Sequence, residues 1–145
     1  MALNLARHLI PLAQRVITAA ELAALNSTPI VLASGADLAD DEFLQFIFAE
    51  ISYQPGTTPF TIGSATNFAI GYSGGASASG TVAATGLIDQ TSVTGAMLQP
   101  VSGKVLAKTD LVLTLAGGNP SAGNGTLLVK MVYRDPAMRV LDDDF

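Results

Sequence analysis

Bulky apolar residues fall in short runs separated by clusters of Gly, Pro, Ser, Asn and Asp, which is the punctuation of strands and turns. The first clear run is Pro29-Ile30-Val31-Leu32-Ala33, closed by Ser34-Gly35-Ala36-Asp37. Residues 42–53 form the most informative segment. Phe43, Gln45, Ile47, Ala49, Ile51 and Tyr53 share one parity, and Leu44, Phe46, Phe48, Glu50 and Ser52 share the other. Both parities are bulky and apolar in the middle, so the segment predicts a strand covered on both sides or one that leaves one sheet for another. A helix also accommodates a short apolar run, but the aromatic content and the Gln54-Pro55-Gly56 turn favour a strand. Further strands are expected over 66–72, 80–85, 110–116 and 125–133, with the last one central. Ser73-Gly74-Gly75 and the Gly-rich stretch 117–125 separate them. Many strands and little helix predict an all-β domain, a β-sandwich or jelly-roll-like fold, although strand spacing alone does not set the topology.

Ahead of the first run the alternation is irregular as far as Ile17. Thr18-Ala19-Ala20-Glu21 then has the pattern of a capping box, in which the Thr18 hydroxyl accepts from the Glu21 amide and Glu21 reaches back. Good helix formers follow, and Asn26-Ser27-Thr28-Pro29 ends them, because a residue before proline is driven out of the α region. Two helical turns are too short to stand alone and must dock. Three parts result: an N-terminal arm with a short helix over 1–27, a β-sandwich domain over 28–134, and an acidic tail over 135–145.

Composition narrows the function classes. At 145 residues, 49% hydrophobic and 13% charged, the chain has the size and apolar content of one folded domain. Seven cations are scattered through a chain of net charge −5. Direct nucleic-acid binding requires clustered cations, so none is expected. The absence of Cys removes disulfides and thiolate metal sites. Arg7 and His8 interrupt the apolar N-terminus and Pro11 follows, unlike a signal peptide, and the uncharged stretch 51–88 is too rich in Gly, Ser, Thr and Pro for a membrane helix. The expectation is a soluble protein, neither secreted nor membrane-bound.

Candidate chemistry is sparse. His8 is the one histidine, set among Leu and Ile, and no Gly-x-Ser-x-Gly elbow accompanies it. The stretch 71–80 is rich in Gly and Ser, yet no lysine occurs before Lys104, so it reads as a surface loop rather than a phosphate cradle. Asp37, Asp40, Asp41 and Glu42 form one acidic cluster and Asp142-Asp143-Asp144 another, both without the spacing of a calcium loop and best read as solvated charge. Phe145 beside the second cluster could anchor the tail on a partner. Phe43, Phe46 and Phe48 are expected to fill the core. Neither a catalytic constellation nor a cofactor or metal site is expected, and the chain reads as a non-enzymatic structural protein.

Three motifs in order carry a family resemblance: Ala24-Leu25-Asn26-Ser27-Thr28-Pro29 after the helix, Gly56-Thr57-Thr58-Pro59-Phe60 after the long strand, and Gly123-Asn124-Gly125-Thr126-Leu127-Leu128-Val129-Lys130-Met131-Val132-Tyr133-Arg134 near the end. Spread over 18–134, they resemble the capsid decoration (cement) proteins of tailed bacteriophages. That resemblance implies a jelly-roll-like homotrimer, made in the host cytoplasm, on the outer surface of the head, with the major capsid protein as partner. An extended arm would reach along neighbouring shell subunits, with Leu3, Leu5, Leu9, Ile10 and Leu12 as its anchors. The acidic tail and the proline-interrupted arm depart from the pattern. A second reading is a tail or fibre component that binds host-surface glycan, with Tyr53, Phe60 and Tyr72 stacking on sugars.

Overall fold

The structure is a computed structural model and describes residues 11–137. Its elements are β1 (Leu12–Ile17), α1 (Ala19–Ala23), β2 (Ile30–Ala33), β3 (Gln45–Gln54), β4 (Asn67–Tyr72), β5 (Val82–Ala83), β6 (Thr94–Leu98), β7 (Leu111–Leu115) and β8 (Thr126–Arg134). They form two four-stranded sheets, β1-β8-β3-β6 and β2-β7-β4-β5, called sheets A and B below.

The pairing has a simple logic. β1 pairs with β8, β2 with β7, β3 with β6 and β4 with β5, every pair antiparallel. The chain is therefore one long hairpin whose tip lies between β4 and β5. Wrapping that hairpin on itself brings β3 beside β8 and β4 beside β7, which completes both sheets. This is the eight-stranded jelly roll, and the sandwich expected from the strand spacing is the fold observed.

Alternation along the strands builds the core. Leu127, Val129 and Met131 of β8 and Ala49, Ile51 and Tyr53 of β3 are buried on the inner face of sheet A. Phe68, Ile70 and Tyr72 of β4 and Leu111, Leu113 and Leu115 of β7 meet them from sheet B. The central position of β8 agrees with the sequence. The mixed parity of β3 has a specific cause: the register with β8 slips between Phe46 and Phe48, so the strand carries a bulge. Phe46 faces the core before the bulge, and the odd residues do so after it. Core filling thus holds for Phe46, whereas Phe43 is exposed and Phe48 is half-buried on the outer face.

The capping box is formed as expected. Thr18 Oγ1 accepts from Glu21 N at 3.2 Å, and Glu21 Oε1 accepts from Thr18 N at 3.0 Å. Arg15 adds an ion pair to Glu21 Oε2 at 2.7 Å. The Thr18 amide, followed by Arg15, holds the Glu21 carboxyl below its usual range despite some opposing desolvation. The helix is shorter than two full turns, but Ile17, Leu22 and Leu25 are completely buried. Residues 12–25, read from the sequence within the arm, thus pack on the sandwich itself.

The Gly-rich stretch before β8 answers to two rings. A Cβ at Gly123 would fall on the Phe60 ring, and one at Gly125 would fall on the Tyr53 hydroxyl. These rings meet edge to face, with centroids 6.4 Å apart. The Tyr53 hydroxyl is buried without a hydrogen-bond partner among the described residues. Desolvation, with Asp89 adding to it, raises its pKa and keeps it protonated.

Four consequences are measurable by thermal or denaturant unfolding. Gly123→Ala should destabilise by about 1–3 kcal/mol, the usual range for overpacking a filled core. Tyr53→Phe should leave stability unchanged or raise it, because it removes a buried hydroxyl that makes no bond. Thr18→Ala should cost about 1 kcal/mol through loss of the cap. The Glu21 contribution has a defined pH sign: with a lowered folded pKa it is fully present above the ordinary carboxyl pKa and is lost as the pH falls through the folded value. Glu21→Gln should therefore flatten the acid limb of the stability profile.

Candidate interaction surface

Register places the outward residues of sheet A in rows, since directly paired residues share a face. Leu12 of β1, Val132 of β8 and Phe48 of β3 form one row. Gln14, Lys130, Glu50 and Met97 form the next, and Val16, Leu128, Ser52 and Gly95 the one after. Two largely apolar rows thus flank one that carries a single cation and a single carboxylate. Leu12, Val16 and Met97 are 57%, 55% and 53% exposed, and Val93, just before β6, is 63% exposed. With the half-buried Val132, Leu128 and Phe48 lying between the two edge strands, these groups give sheet A a largely apolar outer face, a surface suited to protein contact.

Sheet B offers a different outer surface. A concavity of about 290 Å³ is lined by Pro29, Val112, Thr114 and the loop after β4. Its polar side chains are small hydroxyls, with no charged group converging on it. The loop itself is better anchored than a free surface loop. Gly74 and Gly75 turn with φ of 103° and 121°, and residues 76–79 then run back along β4. Tyr72 N donates to Ala76 O at 2.7 Å, and the buried Ser79 Oγ accepts from Ile70 N at 2.8 Å.

The residues singled out in the sequence fare differently. Leu12 stands exposed at the start of β1, in the apolar row with Val132 and Phe48. Leu3, Leu5, Leu9, Ile10, His8 and Phe145 lie outside the described residues. Tyr53, Phe60 and Tyr72 are 0%, 3% and 3% exposed, so they cannot stack on a sugar. Tyr72 instead donates its hydroxyl to Leu44 O, and the other two rings fill the core. In the first acidic cluster Asp40 lies 3.4 Å from Lys108 with almost its whole side chain in solvent, and Glu42 Oε1 accepts from Ala39 N. Among the described residues no three carboxylate or imidazole groups come together as a metal site.

The sequence reading missed most of the sheet A face. Val16, Leu128, Val132 and Met97 owe their common outward face to pairing across the four strands of sheet A. Within β8 the signal was present, because Leu128, Lys130 and Val132 share the parity opposite to the buried Leu127, Val129 and Met131.

No protein-family model matches the chain, and no curated protein matches it either. Among solved structures it is similar to a chain of the cyanophage Pam1 capsid asymmetric unit, with a TM-score of 0.51 and 12% identity, covering 88% of this chain and 84% of that one. At this identity the likeness is one of fold, extending over nearly the whole sandwich.

Proposed function

We propose that this chain is a non-enzymatic structural protein of a phage virion that decorates the outside of the head and clamps neighbouring major capsid protein subunits together. The observation that carries the reading is the shared jelly-roll fold with a chain from a phage capsid, over most of both chains. The three ordered motifs in 18–134 and the exposed apolar rows of sheet A support it from independent directions.

The physical mechanism is surface complementarity. Apolar rows such as Leu12–Val132–Phe48 release water when they meet a shell subunit, and the Lys130–Glu50 row between them fixes register through polar contacts. Leu3, Leu5, Leu9 and Ile10 extend the apolar sequence upstream of Leu12 and would anchor the arm along the shell. A homotrimer would multiply modest contacts into firm retention by raising the effective concentration of each one.

Fractionating virions into heads and tails, with quantitative mass spectrometry of each, tests the reading. The chain should accompany heads in amounts comparable with the shell protein. A few copies restricted to tails would overturn it. Leu12→Lys and Val16→Lys should weaken binding to heads while changing unfolding free energy by no more than about 0.5 kcal/mol, as for other surface substitutions.

A further inference from the structure

The four sheet edges are not equally guarded. A strand edge presents unpaired N–H and C=O groups, and folded proteins blunt it with charge, proline, bulges or brevity. β1 carries Arg15 at its edge, held by Glu21 and by Val31 O at 3.4 Å, so a cation closes the seam between the sheets. β2 follows Pro29 and has a register slip between Val31 and Ala33. β5 is only two residues long. Within its span β6, Thr-Gly-Ala-Met-Leu, has none of these devices, and no charged residue occurs anywhere in 90–103.

The phase of the ladders shows which groups are open. Tyr133 N donates to Pro11 O at 3.3 Å, so odd residues of β8 bond towards β1 and even ones towards β3. Odd residues of β3 therefore bond towards β6, through Thr94, Ala96 and Leu98. Gly95 and Met97 point their N–H and C=O groups away from the sheet. Farther along the same edge, Gly80 N donates to Gln99 O at 2.9 Å and Val101 N donates to Ala78 O at 3.2 Å. Gly95 and Met97 have no such cover among the described residues, and both are exposed.

We infer that the β6 edge is a docking site for an extended, uncharged segment of another protein, which adds to sheet A as a fifth strand through the Gly95 and Met97 main chain. The chemistry defines the segment. It needs a few residues in β conformation, and any apolar side chain it turns outward would lie between Val93 and Met97. A charge there would be stranded beside an edge that has no counter-charge. A second copy of this chain fits less well. Two β6 strands paired about Ala96 would bring residues 93 and 91 of the second copy opposite Gln99 and Val101, where Ala78–Gly80 already run. A segment with freer ends can turn aside at that point. Main-chain pairing gives affinity with little sequence demand, as in other cases of strand addition. The identity of the donor as a shell protein rests on the proposed function; the open edge does not.

The test uses the full chain and heads stripped of it, with hydrogen exchange as the readout. Free protein should exchange the Gly95 and Met97 amides fast and those of Thr94, Ala96 and Leu98 slowly. On heads the two fast amides should become protected. Met97→Pro, which removes one outward donor and leaves the ladder to β3, should weaken binding at least about tenfold at unchanged melting temperature. Gly95→Lys provides a second variant should the proline disturb folding. Binding to heads with neither protection nor loss in the variants overturns the edge inference and leaves the shell reading intact. If the chain does not bind heads, the shell reading fails, and a capped Thr-Val-Thr-Val-Thr peptide then decides the edge: protection of the two amides carries the inference and its absence sinks it. Protection that instead rises with protein concentration alone, alongside a dimer in sedimentation, overturns it by assigning the edge to a second copy.

Discussion

Over Leu127–Val132 β8 is paired on both sides, to β1 and to β3, and the sandwich depends on that double ladder. The pairing joins segments far apart in sequence, so its loop-closure cost is met only when Leu127, Val129 and Met131 are also buried against sheet B. Everything downstream of this constraint is ordered by it. The bulge in β3 exists because the ladder must accommodate an extra residue between Phe46 and Phe48, and the outer rows exist because register aligns residues across strands. The glycines before β8 let the chain pass beneath Tyr53 and Phe60 on its way into the ladder.

Where local chemistry decided the structure, the sequence was readable. Thr18 and Glu21 cap a helix through atoms three residues apart, and β8 shows an alternation that no other element could hide. β2, β4 and β7 were visible for the same reason, as apolar runs between turn residues. Elements defined by their neighbours were not. Thr94-Gly95-Ala96-Met97-Leu98 has few β-branched residues and becomes a strand because β3 supplies its partner groups. Leu12-Ala13-Gln14-Arg15-Val16-Ile17 alternates weakly, since as an edge strand it buries little beyond Ile17. The expected strand over 80–85 shrinks to Val82–Ala83, where the chain leaves β4 for a turn.

The surface divides along the same line. Aromatic residues near turns looked available to ligands, yet Tyr53, Phe60 and Tyr72 are the rings that cement the core. The outward apolar groups of sheet A come from four strands, Phe48 among otherwise aliphatic residues, so their proximity could be read only from register. A face of Leu, Val, Met and Phe with few charges is suited to broad protein contact, where shape supplies most of the selectivity. Its neighbour, the β6 edge, contributes directional hydrogen bonds that such a face lacks. Together they give a surface that can grip both a side-chain patch and an extended backbone.

The nested pairing also orders events during synthesis. As the chain leaves the ribosome, β4 and β5 can meet early, while β1 has no partner until β8 emerges more than a hundred residues later. Until then sheet B and the β3–β6 pair can form, but sheet A cannot close. Folding dominated by such distant pairings is slow compared with helical domains of similar size. A nascent chain of this kind exposes strand edges for much of its translation, the condition under which aggregation competes with folding. Those waiting segments hold seven of the nine aromatic residues, all between Phe43 and Tyr72, so the part of the chain with most to bury is made well before the last strand that completes its core.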